Sequence, residues 1–294
     1  MIYANIYLVS IKKYLAKLED LTAKEILITG GTSGIGLAVV RQLVEKHANV
    51  VVLARNVDKF NKVKEDILTD NPNAKLDIIK YDQSDDQSVK EAAKEIILNH
   101  PHFDALILNA GIIQKKKPYT YVDGYPLTIK TNLIGLNLLL NELLPNLSGP
   151  HRFILQGSLV AGLRTKKIAS FKDKKIGAWS QYFISKAGVE ALFYHYSQSE
   201  SPFEFILIEP GIAITGIVRE FPKIIRFLAN LVSRVISHTA DKAALTALVA
   251  LQSTTTKNSF IVPRGLFAWR GYPKFKKFPS KRKREYLVDL LNKS

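Results

Sequence analysis

From residue 25 onwards, short apolar runs alternate with longer amphipathic stretches. The runs are Ile26–Thr29, Val50–Ala54, Leu76–Lys80, Ala105–Asn109, Phe153–Gln156, Glu204–Glu209 and Phe260–Val262. Between them, apolar positions recur at helical spacing over 35–46, 58–68, 86–99, 127–144, 181–198 and 241–252. Nearly continuous apolar strands separated by helices predict a parallel sheet covered on both faces. Seven such strands in one layer make one doubly wound α/β domain over 24–263. Segment 214–238 breaks the rhythm and reads as an added helical insertion, rich in Ile, Leu and Phe.

Two stretches fall outside the alternation. In residues 1–23, Tyr7, Ile11, Tyr14, Leu15 and Leu18 form an apolar stripe, with Lys12, Lys13, Lys17 and Glu19 off it. This predicts a helix buried against its own domain, a second subunit or a lipid surface, docking on its own domain being the expectation and a membrane surface the sharper alternative. Residues 264–294 form a basic tail. It carries ten Lys or Arg against Glu285 and Asp289, half of the chain's net charge of +16. An anionic partner or a solvated tail explains that charge, and the solvated tail is the more ordinary reading. Aromatic residues interleave with the tail's lysines, but no nucleic-acid motif accompanies them, so no specific nucleic acid is expected.

Composition narrows the chemistry. Hydrophobic residues make up 47% of the 294 and charged residues 23%, which excludes disorder as the dominant state. Cysteine is absent, so thiolate catalysis and cysteine metal sites are excluded. The six histidines show no metal spacing beyond His100 and His102 flanking Pro101, a surface-loop pattern. The start of the chain reads poorly as a secretory signal and no ordinary spanning helix is encoded, so a cytoplasmic location is expected, with peripheral membrane contact through 1–23 or the tail as its variant.

The first strand runs into Thr29-Gly30-Gly31-Thr32-Ser33-Gly34-Ile35-Gly36. Glycines after a first strand and at the start of a first helix let phosphate oxygens approach the main chain. The helix N-terminus favours a pyrophosphate there. A glycine-rich turn in this position marks a dinucleotide-binding, Rossmann-type fold. The second strand ends at Arg55, where an acid commonly takes the ribose 2′-hydroxyl. A guanidinium there suits a 2′-phosphate and points to NADP(H), with Lys59 as a helper. Tyr182 and Lys186, at i and i+4, share one helix face, and a cation beside a phenol favours acid–base work at neutral pH.

Taken together, these motifs resemble the short-chain dehydrogenase/reductase family over residues 25–262. The turn Thr29–Gly36 is similar to its Thr-Gly-x-x-x-Gly-x-Gly, and Asp82 to the acid that contacts adenine. Asn109-Ala110-Gly111 resembles the motif closing the fourth strand, with Leu108 in place of the usual first Asn. Asn132 and Ser158 stand where the family has its catalytic Asn and Ser, and Tyr182 with Lys186 matches its Tyr-x-x-x-Lys. Pro210-Gly211 with Thr215 is similar to a cofactor-contacting segment. Asp123-Gly124-Tyr125 and the 24 positions from Ser158 to Tyr182 resemble the retinol-dehydrogenase-like branch, which includes the WW-domain-containing oxidoreductase. The long insert between Ser158 and Tyr182 carries Arg164, Lys166, Lys167, Lys172, Lys174 and Lys175, read here as a basic surface loop.

The resemblance implies a hydride transfer between NADP(H) and a carbonyl/alcohol substrate, apolar in character and usually in the direction of reduction. Tyr182 would move the proton, with Lys186 holding the nicotinamide ribose and lowering the tyrosine pKa. Ser158 would bind the substrate oxygen, and Asn132 would anchor a water. Gly30, Thr32, Ser33, Gly34, Ile35, Gly36, Arg55, Asp82, Asn109, Ala110, Gly111, Pro210, Gly211 and Thr215 would line the cofactor, with 214–238 covering the substrate. Gly157 precedes Ser158, leaving one nearby catalytic hydroxyl. Thr32 and Ser33 are not basic, so Arg55 carries most of the NADP(H) argument. The alternatives are a non-catalytic dinucleotide-binding protein, or a membrane- or nucleic-acid-associated protein working through its tail. A homo-oligomer is compatible with the family.

Overall fold

Alternate side chains along each central strand belong to two different apolar cores. Leu27, Leu53, Leu106, Phe153 and Leu207 point into one, and Ile28, Val52, Ile107, Ile154 and Ile206 into the other. A strand buried on both faces needs apolar residues at every position, which is why the runs read as continuous. The computed structural model describes residues 11–162, 168–211, 239–252, 259–265, 271–279 and 284–293. Its strands are β1 (Glu25–Thr29), β2 (Asn49–Ala54), β3 (Leu76–Lys80), β4 (Ala105–Leu108), β5 (Tyr121–Val122), β6 (Tyr125–Pro126), β7 (Arg152–Gln156), β8 (Glu204–Ile208), β9 (Ser259–Pro263) and β10 (Pro273–Lys277). The helices are α1 (Gly34–Glu45), α2 (Val57–Asp70), α3 (Asp86–Asn99), α4, α5 (Ala178–Gln198), α6 (Ala240–Gln252) and α7 (Tyr286–Asn292). Helix α4 is continuous but changes pitch: Leu127–Ile129 is α, Lys130–Ile134 is π, and Gly135–Leu143 is α again.

The central sheet has the order β10-β9-β8-β7-β4-β1-β2-β3. All seven expected strands are present and parallel. An eighth, β10, comes from the basic tail and runs antiparallel to β9, with Phe275 opposite Ile261. Its sequence, Pro-Lys-Phe-Lys-Lys, suits an edge strand, where lysines and a proline discourage further pairing. Strand order reverses between β1 and β4. The loops leaving these two strands therefore flank a crevice at the carboxyl end of the sheet.

The flanking segments fold onto the domain. Residues 11–15 are helical, and Ile11 and Leu15 join the core shared with α1 and α6. Glu19 and Gln252 exchange hydrogen bonds through the Glu19 backbone at 2.9 Å each, and Tyr14 stacks on Tyr272 at 4.6 Å. From the tail, Phe278, Leu287, Val288 and Leu291 enter the core that contains α5. No helix among the described residues is long and apolar enough to cross a membrane.

Candidate active site

Main chain forms the wall of the crevice at the strand-order reversal. Gly30 has φ of +75°, a conformation that side chains disfavour. A Cβ on Gly36 would lie 2.3 Å from the Gly30 carbonyl oxygen, so α1 can approach the turn only with glycine there. Ser33 is extended and starts α1 without a side-chain cap, beside the amides of Gly34 and Ile35. The facing loop is tied to the turn. Asn109 Nδ2 donates to the carbonyls of Thr29 (2.8 Å) and Gly30 (3.2 Å), and the Ala110 amide donates to Thr29 Oγ1 at 2.9 Å. A glycine cradle walled by backbone, at a helix start, fits a dinucleotide pyrophosphate.

Along the rim, Arg55 follows β2 and is 66% exposed, with its guanidinium 3.9 Å from Asp82. It lines an open depression with Asn56, Asp58 and Lys80. Asp82 accepts from the Ser84 amide and hydroxyl at 2.9 and 2.7 Å, which orients its carboxylate in the loop after β3. The amide of Lys59, the expected helper, caps on the Asn56 side chain.

Deeper in, four expected residues converge. Lys186 is buried on α5, and its Nζ donates to the Gln156 carbonyl at 2.8 Å, two residues before Ser158. The Ser158 side chain lies beside Tyr182 and favours its ionised form. Asn132 lies in the π turn of α4. It accepts from the Ile112 amide (2.8 Å), donates to the Ile112 carbonyl (2.9 Å) and donates to Ser185 Oγ (3.1 Å). Gly111 bridges the two ends of the set, because a Cβ there would stand 3.4 Å from Asn132 Oδ1 and 3.5 Å from Lys186 Nζ. Pro210 and Gly211 follow β8, with Gly211 at φ +77°. Thr215, the 214–238 insertion, and Arg164, Lys166 and Lys167 lie outside the described residues.

Burial sets the protonation states. Desolvation pushes the Tyr182 phenol above its usual value, opposed by the neighbouring Ser158 side chain. Burial lowers Lys186 to about 8, opposed by the charge of Glu190 one turn along α5. The sequence reading had Lys186 pulling the tyrosine down. In the chain by itself, desolvation dominates the phenol and Ser158 is the group that opposes it.

Sequence reasoning passed over the supports of this site. Lys130, on α4, is buried and reaches Asp86 and Asp123, each at 2.7 Å. Gln83 Nε2 donates to the Thr131 carbonyl at 2.6 Å, satisfying backbone in the π turn. Gly135 lets the chain at Gln83 come close, since a Cβ would lie 1.8 Å from its carbonyl oxygen. Gly188 on α5 makes the same room for Leu133. The available signal was a lone glycine inside each of two helical patterns.

Comparison with known proteins agrees with this geometry. A profile of the family described as short chain dehydrogenase matches residues 24–223. The chain belongs to the short-chain dehydrogenase family. Within this oxidoreductase family it is 26% identical over 273 residues to short-chain dehydrogenase/reductase pkfC of Emericella nidulans, covering 85% of this chain and 86% of that one. It is 33% identical over 143 residues to human retinol dehydrogenase 11, covering 48% and 44%, a likeness that accords with the retinol-dehydrogenase-like branch. It is 35% identical over 130 residues to an uncharacterised Schizosaccharomyces pombe oxidoreductase, a match that spans 38% of that relative. Among solved structures, a Burkholderia cenocepacia short chain dehydrogenase in complex with NADP has the same fold. The TM-score is 0.63 at 20% identity, over 80% of this chain and 93% of that one.

Proposed function

We propose that the protein is an NADP(H)-dependent oxidoreductase that interconverts a carbonyl and an alcohol, with an apolar substrate. The observation that carries this reading is buried Lys186 on the Gln156 carbonyl beside Asn132 and Gly111, with Ser158 and Tyr182 next to each other, at the foot of a glycine cradle. The cradle residues Gly30, Thr32, Ser33, Gly34, Ile35 and Gly36 would hold the pyrophosphate. Asn109, Ala110, Gly111, Pro210, Gly211 and Thr215 would line the remainder of the cofactor, with Asp82 at the adenine. Arg55 would pair with the 2′-phosphate as a charged fork, aided by Lys80 across the depression. When bound, the nicotinamide supplies or accepts the hydride.

The chain's own residues would handle the proton and the charge. A phenol held above its usual pKa is protonated at neutral pH, which suits a proton donor to a carbonyl oxygen and hence reduction. Ser158 would hydrogen-bond the same oxygen as negative charge develops on it. Lys186, with a pKa of about 8, is mostly cationic at neutral pH and would stabilise the phenolate left behind. Asn132, clamped by Ile112 and Ser185, would hold a water for proton return.

Calorimetric titration with NADPH and NADH tests this. NADPH should bind more tightly, and Arg55→Asp should weaken NADPH more than NADH. Preference for NADH would remove Arg55 from the 2′-phosphate. A folded protein that binds neither cofactor would overturn the oxidoreductase reading.

A further inference from the structure

Two loop segments, beyond the residues assigned to proton and cofactor chemistry, meet near the start of α5. One follows β4, carries Lys115, Lys116 and Lys117, and continues into the β5–β6 hairpin. The other, within residues 168–177, leads into α5 with Lys172, Lys174 and Lys175. Side chains knit the loops together. The Tyr119 hydroxyl accepts from the Ala178 amide at 3.2 Å, and the Tyr121 hydroxyl donates to the Lys174 carbonyl at 3.4 Å. Lysine ammonium groups lie over aromatic rings from one end to the other: Lys172 over Tyr125 at 4.6 Å, Lys115 over Trp179 at 5.3 Å, Lys174 over Tyr121 at 5.6 Å and Lys117 over Tyr119 at 5.9 Å. The acids within the two loops are Asp123 and Asp173, and Asp123 is already paired with Lys130. The surface is therefore a cationic lip studded with rings. Trp179 stands on it, 42% exposed, one helical turn before Tyr182 and in ring contact with Phe183.

We propose that this lip docks on an anionic lipid surface. Aromatic rings edged by lysine belong at a headgroup layer, where the ring sits among headgroups and each cation meets anionic lipid. Single-stranded nucleic acid would need ring faces for base stacking. Here each of the four rings already has a lysine over one face, and Tyr125 is buried. An acidic protein would meet the same charge but would lack an apolar centre to close on. Trp179, in the first turn of α5, is the large apolar side chain that the described residues of this surface hold in the open. The described part of the N-terminal segment, from Ile11, is a weaker contact, because Ile11 and Leu15 are turned into the protein's own core. Docked this way, the lip places the Ser158–Tyr182 pair next to the layer in which an apolar substrate dissolves.

The test needs no turnover, so its failure is separate from failure of the oxidoreductase reading. The chain has two tryptophans, and Trp269→Phe leaves Trp179 as the only reporter. Phosphatidylcholine vesicles with phosphatidylserine should blue-shift its fluorescence and co-sediment the protein, and added salt should reverse both. Vesicles of phosphatidylcholine alone should do neither. The exposed quadruple variant Lys116→Glu, Lys117→Glu, Lys174→Glu, Lys175→Glu should bind at least about tenfold more weakly while melting as the parent does. Failure to bind phosphatidylserine vesicles overturns the proposal. So does binding that the quadruple variant keeps and that Lys276→Glu with Lys277→Glu, on the exposed edge of β10, abolishes. Binding of an oligonucleotide or a polyacidic protein through the same lysines, with no vesicle binding, overturns it in favour of that partner.

Discussion

Tyr182 and Lys186 were legible as a pair four residues apart, yet their protonation depends on neighbours that no spacing reveals. Tyr182→Phe removes the proton donor but leaves the ring packed. Turnover should fall by about 10²–10⁴-fold while NADPH affinity in calorimetry stays near that of the parent. Turnover that survives would assign the proton to another group. Lys186 has a consequence for stability as well. Its folded pKa of about 8 lies below the unfolded value of about 10.4, so the unfolded chain binds the extra proton between those limits. The penalty for burying the cation is in full force below pH 8 and fades as pH rises towards 10. Urea denaturation should therefore show the parent gaining on Lys186→Met by on the order of 1 kcal/mol between pH 7 and pH 9. A constant difference across that range would mean that Lys186 is not desolvated.

Helix α4 shows where pattern reading stops at the level of an element. Its apolar periodicity announced a helix over 127–144, and a helix is there. The π turn that presents Asn132 was not legible, because it depends on partners far away in sequence: Gln83 on the Thr131 carbonyl, and Asp86 and Asp123 on Lys130. Lys130 is a cation on a buried helix face, and tertiary pairing is what lets it be buried. Its two acids are largely exposed, at 46% and 62% of their side chains. This asymmetry predicts unequal mutants. Lys130→Met removes the buried charge and leaves two carboxylates that water can serve, so it should cost less than about 1 kcal/mol. The double change Asp86→Asn, Asp123→Asn strands a cation with its Nζ desolvated, and should cost a few kcal/mol, roughly 3. Urea midpoints of the two variants check the order. The reverse order would show the carboxylates to be the dependent partners.

For the whole molecule, the strand–helix alternation carried the architecture, because seven strands buried on both faces leave a continuous apolar signature. The eighth strand left none. An edge strand exposes one face and one row of backbone groups, so lysines suffice where an inner strand needs valine or isoleucine. Reading 264–294 by its charge averaged over that strand and over α7, whose few apolar residues are all spent inward. Phe278 shows the difference between a solvated tail and a folded one. It is buried against Phe193 at 5.4 Å, Phe260 at 5.8 Å and Tyr194 at 6.2 Å, and so holds the tail to α5, the helix of Tyr182 and Lys186. Phe275, three residues earlier on β10, is 47% exposed. Phe278→Ala should cost about 3–5 kcal/mol of unfolding free energy. Phe275→Ala should stay within about 0.5 kcal/mol of the parent. A tail that merely solubilises the protein would make both changes silent. If the large cost falls on Phe278 alone, the basic segment is part of the sheet and core on which the active-site helix rests, and its charge is the exterior of a folded element.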